Sequence, residues 1–394
     1  MVKAKTRLFY IFLFAVFAVA LGQGIGLGGG FANFFYSEAY QINGFVRGAI
    51  EIPREIPGIL SIFLLLLLLK KGDIFSSIIS QVICVIVAFA LAFWTPPFWI
   101  MLGFLAFNSL GMHSFFPLQD SIALKLSEAN NAAKGKNLSK IMAASLFATS
   151  VSALLVFFGA KYNIFTFSNH FKLTFLVSGI FYSIGLVLLV ILRRKSNSDK
   201  KIFQTKKFTL WKSKFVPYYI LSGLFGAQKQ VNATFAIWMI ISVFAKRADY
   251  MGILIAIGTF LSIFWVLGIG KLTDKTSPKI VLIMNGIIAI SVALLYAFLA
   301  RGINPIWIAI VFVIDILGVQ LAFARSLYLK KICNSSELTP VLASGVTCDH
   351  TIALITAFIG GWVWQSFGIA PVFIGFGVLQ LVALGVSVFG VKIK

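Results

Sequence analysis

Apolar stretches of about 20 residues recur along almost the whole of this chain, and they constrain its fold more than any other feature. A helix of about 20 residues is roughly 30 Å long, which matches the hydrocarbon core of a bilayer. Of the 394 residues, 59% are hydrophobic and 12% are charged, whereas soluble proteins have roughly 25% charged residues. The chain is therefore predicted to be an all-α integral membrane protein.

Twelve membrane-spanning helices are predicted from these stretches. Their approximate bounds are 7–29, 44–69, 74–94, 97–119, 139–160, 171–192, 215–241, 250–269, 280–300, 304–328, 338–363 and 370–391. The first apolar stretch is longer than the roughly 7–15 residues typical of a signal peptide. It is therefore expected to remain as a span rather than to be cleaved.

The basic residues predict the orientation of the chain in the membrane. If the loops alternate between the two sides, 26 of the 34 Lys and Arg residues fall on the side of both termini, and five fall on the other side. Cytoplasmic loops carry the excess of Lys and Arg in membrane proteins. Both termini are therefore expected in the cytoplasm, in a bacterial-type inner membrane. Topology rather than binding to nucleic acid then explains the net charge of +22.

An internal repeat divides the chain into two halves. The tetrapeptide LSIF occurs at 60–63 and again at 261–264, and PFWI at 97–100 corresponds to PIWI at 305–308. Similar segments in the same order indicate a duplicated six-helix unit. The predicted domains are an N-terminal six-helix bundle (1–192), a basic cytoplasmic linker (193–214) and a C-terminal six-helix bundle (215–394), the two bundles being pseudo-symmetric.

The segment GFVRGAIEIPREIPGIL, residues 44–60, places four charges at the start of the second span, namely Arg47, Glu51, Arg54 and Glu55. The uncharged block that follows is too short to cross the membrane alone, so the charged part must enter the outer half of the bilayer. Helical spacing puts Glu51 between the two arginines on one face. Three interpretations remain open: an ion-pair lock that closes an outer gate, a contact for a ligand or proton, and an exposed loop.

Several ionisable residues lie near the middle of other predicted spans, where an ionisable group is by default a candidate for function. Histidine titrates near neutral pH and burial can bring a carboxylate there, so the candidate proton carriers are Asp349, His350, Asp315 and His113. Lys229 is the candidate midplane cation, either for an anionic substrate group or for an ion pair with Asp315 or Asp349. The alternative for each residue is buried pairing or helix–helix hydrogen bonding without any further role.

Signatures of enzymes are absent from the sequence. It contains no HExxH, GxSxG or P-loop GxxxxGK[ST] motif and no Cys/His spacing typical of zinc sites. The chain is therefore expected not to be an enzyme, to use no metal or other cofactor, and not to draw energy from ATP hydrolysis.

The segment GKLTDKTSPK, residues 270–279, resembles the loop motif of the major facilitator superfamily. The matching residues are Gly270, Leu272, Asp274, Lys275 and Lys279. Ser277 replaces the second glycine of the motif, and the corresponding first-half segment, residues 69–73, retains only Asp73 and its basic neighbours. Independently of the resemblance, the carboxylate of Asp274 is expected to favour the positive dipole end of the ninth span.

The resemblance implies a carrier that works by alternating access, with spans one, four, seven and ten facing a central cavity. The candidate substrate-binding residues there are Gln23, His113, Gln228, Lys229, Asp315 and Gln320. The expected function is secondary active transport of a small polar or anionic organic solute, coupled to protons, by a monomer. Two alternatives remain open: proton-coupled export of lipophilic drugs, and a non-transporting membrane receptor or scaffold.

Overall fold

All regular structure that the computed structural model describes is helical. The described residues are 2–27, 31–41, 50–129, 133–162, 164, 171–196, 210, 212–244, 248–302 and 304–392. Arg47 and most of the predicted linker 193–214 lie outside them.

The helices are numbered in chain order. In the first half they are α1 (Val2–Ile25), α2 (Phe31–Tyr40), α3 (Glu51–Leu68), α4 (Asp73–Phe93), α5 (Phe98–Ala129), α6 (Lys134–Lys161) and α7 (Lys172–Lys195). In the second half they are α8 (Val216–Gln230), α9 (Ile237–Ser242), α10 (Ala248–Lys275), α11 (Pro278–Leu299), α12 (Pro305–Gln320), α13 (Ala324–Ile332), α14 (Ser335–Phe367) and α15 (Ile369–Gly385).

The predicted all-α membrane fold with twelve spans is confirmed. Within the described residues, ten helical stretches are long and apolar enough to cross a membrane. The second predicted span corresponds to α3, whose first two turns carry charges. The seventh corresponds to α8 and α9, which are joined by a π-helical segment, Val231–Ala236.

Some helix ends differ from the prediction. The fourth span was expected to end at residue 119, but α5 continues to Ala129. The tenth span is divided by a 3₁₀ turn, Leu321–Phe323, between α12 and α13. Hydropathy locates only the part of a helix that lipid surrounds, so polar turns that continue beyond it escape prediction.

A further helix, α2, occupies the predicted loop between the first two spans. Its Phe35 is buried and packs edge-to-face on Phe175 of α7, with 4.8 Å between ring centres. The Tyr40 hydroxyl at its end donates a hydrogen bond to the carbonyl of Pro96, at 2.8 Å. Burial raises the pKa of Tyr40 to about 12, so this hydroxyl keeps its proton at neutral pH. These contacts anchor α2 to the first bundle.

The chain forms two compact units, each with its own core. The first consists of Met1–Ala132, Lys140–Phe208 and Ser335–Ala343, and the second of Ala133–Ser139, Thr209–Asn334 and Ser344–Lys394. In the first unit, α4 packs against α5 and α7, and α7 packs against α1. In the second, α11 packs against α12 and α15, and Tyr296 lies 4.9 Å from Phe373 in its core.

Candidate functional site

The second unit brings a lysine and an aspartate from two helices into an ion pair. Lys229 Nζ of α8 lies 2.8 Å from an Oδ1 oxygen of Asp349 on α14. The side chains are 33% and 13% exposed, so the pair is accessible from one side. Of the two partners that the sequence left open for Lys229, the structure therefore selects Asp349.

A glycine makes this pair possible. A Cβ atom at Gly226 would lie only 2.0 Å from the backbone oxygen of Asp349, far inside van der Waals contact. The backbones of α8 and α14 can approach this closely only because residue 226 has no side chain. One helical turn separates Gly226 from Lys229, so the close approach places the lysine beside the carboxylate.

Asp315 has different partners. Its Oδ2 atom accepts hydrogen bonds from Asn232 Nδ2 at 2.9 Å and from the Tyr296 hydroxyl at 3.2 Å. Asn232 belongs to the π-helical segment, which widens one turn of the seventh span, and such segments are frequent at functional sites. The buried carboxylate thus ties α12 to α11 and to the irregular part of the seventh span.

The distance of each group from the start of its helix gives its position along the helix axis. Lys229 and Asp349 lie about 20 Å along the axis from the starts of α8 and α14, and Asp315 lies about 15 Å from the start of α12. If α12 runs opposite to α8 and α14, as the alternation of loops predicts, all three charges are expected near the middle of a core roughly 30 Å thick.

The other candidates of the second unit are distributed around this region. Gln228 is buried and its side-chain amide pairs with that of Asn285 on α11. The amide nitrogen of each residue donates a hydrogen bond to the amide oxygen of the other, at 3.3 Å. His350 is buried next to Asp349 in sequence, and Gln320 is the half-buried last residue of α12. Within the described residues, the only ion pair that joins two of the predicted site residues of this unit is Lys229–Asp349.

The charged start of the second span forms its own group in the first unit. Arg54 Nε lies 3.1 Å from Glu51, and its Nη2 lies 3.4 Å from the buried Glu55. Ser109 of α5 donates to the backbone oxygen of Arg54 and also lies 2.9 Å from His113 Nδ1. Ser109 is about 17 Å from the start of α5. Glu51, Arg54 and Glu55 therefore lie on a helix and not in a loop, whereas Arg47 lies outside the described residues.

Gln23, the remaining candidate of the first unit, is half-buried on α1. In the part of the chain that the structure describes, no hydrogen bond or ion pair joins Gln23 to His113 or to the charges of α3.

Asp73, from the first-half copy of the loop motif, belongs to a polar cluster that is buried from solvent. Asp73 Oδ2 is 2.6 Å from Lys125 Nζ, and both side chains are fully buried. Ser121 and Thr339 also donate to this oxygen, at 2.7 and 2.8 Å. The lysine, the serine and the threonine come from α5 and from the start of α14, where residues 335–343 belong to the first unit.

Asp274, from the second-half copy of the motif, binds the N-terminus of a helix, but this helix is α6 and not the predicted ninth span. Asp274 accepts hydrogen bonds at 2.7 Å from the backbone N–H groups of Gly135 and Lys136, at the start of α6. The ninth span, α11, is capped instead by Ser277, which accepts from Lys279 N. The dipole argument was sound, but the nearest free helix terminus in space belongs to the fifth span rather than the ninth.

Gly270, Lys275 and Lys279 complete the motif with smaller roles. A Cβ atom at Gly270 would meet Ser139 Oγ at 2.1 Å, so this glycine permits α10 to approach α6 closely. The backbone of Lys279 binds Ser277, and Lys275 is exposed in the last turn of α10.

Sequence reasoning missed several members of these clusters. Lys125 lies in the loop predicted between spans 97–119 and 139–160, and the predicted site residues do not include Ser121, Thr339, Asn285 or Tyr296. The sequence does indicate that Lys125 and Ser121 share a helix face, because they are four residues apart and the helix of the preceding apolar span can continue through them. The partners on other helices left no signal in the sequence.

Comparison with known proteins gives two findings. The family model described as Major Facilitator Superfamily matches residues 14–336. Among curated proteins, none matches the chain significantly by sequence.

Solved structures are similar along the whole chain. The proton:xylose symporter XylE is 14% identical, with a TM-score of 0.74, over 100% of this chain and 96% of XylE. FucP, the fucose:proton symporter of E. coli, is 12% identical in sequence. Its structure in the outward conformation gives a TM-score of 0.73 over 99% of this chain and 100% of FucP. The human organic anion transporter MFSD10 is 10% identical, with a TM-score of 0.64 over 97% of this chain and 99% of MFSD10. At these identities the likeness concerns the fold.

Proposed function

This chain belongs to the major facilitator superfamily, and from that premise we propose that it is a secondary active transporter for a small polar or anionic organic solute. Transport proceeds by alternating access and is coupled to protons. The observation that carries this proposal is the Lys229–Asp349 ion pair, which joins two predicted spans and is partly exposed.

A charge in a membrane span is costly unless it is paired or meets water. Lys229 and Asp349 neutralise each other, yet a third of the lysine side chain stays exposed. An arriving carboxylate or phosphate group would compete with Asp349 for the ammonium group. Charge-assisted hydrogen bonds to such a group contribute about 1.5–3 kcal/mol each.

Competition for Lys229 links the solute to a proton. When a solute anion takes over Lys229, Asp349 is left without its cation in a poorly hydrated site, and it then binds a proton. Release of the solute lets Lys229 return and expel that proton. Asp315 holds the π-helical segment beside this site through Asn232, and we assign it a second proton-binding role.

The solved structures with similar folds support the substrate class. XylE is a proton:xylose symporter, FucP is a fucose:proton symporter and MFSD10 is an organic anion transporter. The partly exposed cation of the pair favours a solute with negative charge.

The test is gradient-driven uptake into liposomes. Purified protein is first screened by thermal shift against organic acids, sugars, amino acids, nucleosides and lipophilic cations. The stabilising solute is then used for uptake. Lys229→Gln is expected to weaken solute affinity about 10- to 100-fold, since a charged hydrogen bond is lost. Asp349→Asn is expected to abolish proton-driven accumulation while solute exchange without a gradient persists. Lys172→Gln, a lysine outside the site, is the control.

Wild-type uptake and pH dependence in both site variants would show that these roles are misassigned. Stabilisation by lipophilic cations alone would instead favour a drug exporter.

A further inference from the structure

Helices α4 and α7 of the first unit form an apolar groove of 350 Å³. Its lining residues are Phe89, Ile180, Ser183, Ile184, Val187 and Leu188. Both helices are membrane-spanning candidates, and Ile180, Ile184 and Val187 remain 44–56% exposed in the folded chain. The hydroxyl of Ser183 donates to the carbonyl of Gly179, so the groove offers no free polar donor. Such a surface suits a hydrocarbon chain.

Two cations share one aromatic ring at the end of the same helix pair. Lys71 Nζ is 5.0 Å from the centre of the Phe75 ring, and Arg193 Cζ is 4.6 Å from it. Phe75 belongs to α4 and Arg193 to the last turn of α7, while Lys71 ends the 3₁₀ turn (Leu69–Lys71) that precedes α4. Both cations are exposed.

These cations lack a counter-ion within the described part of the chain. The ion pairs found there join other residues. Asp73, the acid nearest to Lys71 in sequence, is fully buried against Lys125. Two positive charges over one ring repel each other, so an anion placed between them is attracted by both. Arginine also offers a paired set of donors that fits phosphate oxygens.

The positions of the cations and the groove match the two parts of a lipid, with the charges where its headgroup would lie and the groove where an acyl chain would lie. Phe75 and Phe89 lie almost four turns apart on one face of α4, about 21 Å along its axis. On α7, Leu188 lies about 8 Å from Arg193. The charged end is therefore at the end of the helices, and the groove begins about one and a half turns deeper in the membrane.

We propose that the groove and its two cations bind one anionic phospholipid. Its phosphate lies on Lys71 and Arg193, and one acyl chain runs along α7 against Phe89. The positive-inside rule predicts that this end of the first unit faces the cytoplasmic leaflet, which is where anionic lipids attract basic residues. A zwitterionic lipid binds less tightly because its own cation is repelled by the pair.

Native mass spectrometry of the purified protein tests this proposal. The protein is mixed with equal amounts of phosphatidylglycerol and phosphatidylcholine that have identical acyl chains, and the retained lipids are counted. We expect a preference for phosphatidylglycerol. Removing both cations, in Lys71→Gln/Arg193→Gln, is expected to lower that preference about fivefold for each cation, or roughly 25-fold in total. Ile184→Trp, which fills the groove, is expected to lower retention of both lipids.

The matched control is Lys172→Gln/Arg301→Gln, which removes two cations elsewhere, one of them 5.8 Å from the Phe298 ring. It is expected to keep the wild-type preference, and excess glycerol 3-phosphate, a headgroup without chains, is expected to displace no lipid. A larger rise of the wild-type melting temperature with phosphatidylglycerol than with phosphatidylcholine supports the proposal without any variant. Equal retention of both lipids by the wild type, an unchanged preference in the double variant, no effect of Ile184→Trp, or displacement by glycerol 3-phosphate would each overturn it.

Discussion

The buried Asp73–Lys125 pair shows what a charge needs in order to be stable inside this protein. The carboxylate oxygen that faces Lys125 also accepts from two hydroxyl groups, Ser121 and Thr339. Asp73 lies in the first turn of α4, where the helix dipole favours a negative charge. Each of these contacts offsets part of the cost of removing two ions from water.

Removing one partner of this pair is expected to be severely destabilising. In Lys125→Met, Asp73 stays buried with no cation, and loss of one member of a buried ion pair costs about 3–5 kcal/mol. The melting temperature in detergent should therefore fall strongly. Removing both charges, in Asp73→Leu/Lys125→Met, should restore much of the loss, because no unpaired ion remains.

The exposed lysine Lys271 provides the control for this comparison. Lys271→Met is expected to change stability by less than about 0.5 kcal/mol, as is usual for surface substitutions. A double variant as unstable as the single one would contradict this account, since the loss would then come from packing rather than from the unpaired carboxylate.

At this scale the sequence locates the charges inside predicted spans better than it predicts their partners. Lys229, Asp315 and Asp349 stand out because a charge in an apolar run needs a reason. The choice between Asp315 and Asp349 as the partner of Lys229 depends on the close approach of α8 and α14, which a linear pattern does not contain. Lys125 was missed because its helix continues past the apolar run that defines the span.

At the scale of the elements, the irregularity of the seventh span is tied to a specific contact. Its π-helical segment places Asn232 against Asp315 of α12. A π turn leaves backbone groups in a strained pattern that neighbouring contacts must stabilise, and such segments persist where function requires them. The hydrogen bond from Asn232 adds a polar contact to the packing of Val231, Phe235 and Ala236, which are buried in the core of the second unit.

Exchanging the two partners of this bond tests its role. Asn232→Asp alone places two carboxylates about 3 Å apart inside the membrane, and a marked fall in melting temperature is expected from their repulsion. The exchange Asn232→Asp/Asp315→Asn recreates a carboxylate–amide hydrogen bond with the roles reversed, and it should recover most of that loss in a thermal-shift assay.

Asn304→Asp is the matched control for this exchange, because Asn304 is an exposed N-cap of α12 that aspartate replaces equally well. Failure of the exchanged pair to recover stability, with this control unchanged, would mean that Asn232 acts through packing and not through its bond to Asp315.

Helix positions were predictable because apolar runs identify them directly, whereas the π segment and the 3₁₀ turn Leu321–Phe323 were not. Both interruptions lie inside segments that read as single continuous spans, and their residues are compatible with an ordinary α-helix. No Gly–Pro signal marks them either, since proline is absent from both segments. Contacts with neighbouring helices, which the sequence does not show, select these local geometries.

For the whole molecule, the internal repeat indicates two halves, and each half supplies most of one compact unit. Two short segments at helix starts, Ala133–Ser139 and Ser335–Ala343, belong to the unit formed mainly by the other half. Repeats identify duplicated elements, but they do not reveal that each unit includes a short segment from the other half. That arrangement depends on which residues donate hydrogen bonds to Asp73 and Asp274.

The orientation of the molecule follows from its basic loops and can be measured with introduced cysteines. In a variant without native cysteines, Arg301→Cys should react with an impermeant maleimide in intact bacterial cells, because residue 301 is predicted to lie outside. Lys331→Cys, equally exposed in the structure, should react only after the cells are opened. The reverse labelling pattern would place both termini on the outer side.

The π-helical segment has a mechanical consequence. An α-helix turns by 100° per residue, and a π turn accommodates about one residue more, so its conversion to regular α-helix would rotate α9 by roughly 100° about its own axis. The C-terminal third of the seventh span would then present a different set of side chains while α8 stays in place. Such a rotation needs no hinge loop, but it breaks the bond between Asn232 and Asp315 and moves the buried side chains of Met239 and Ile240 within the core.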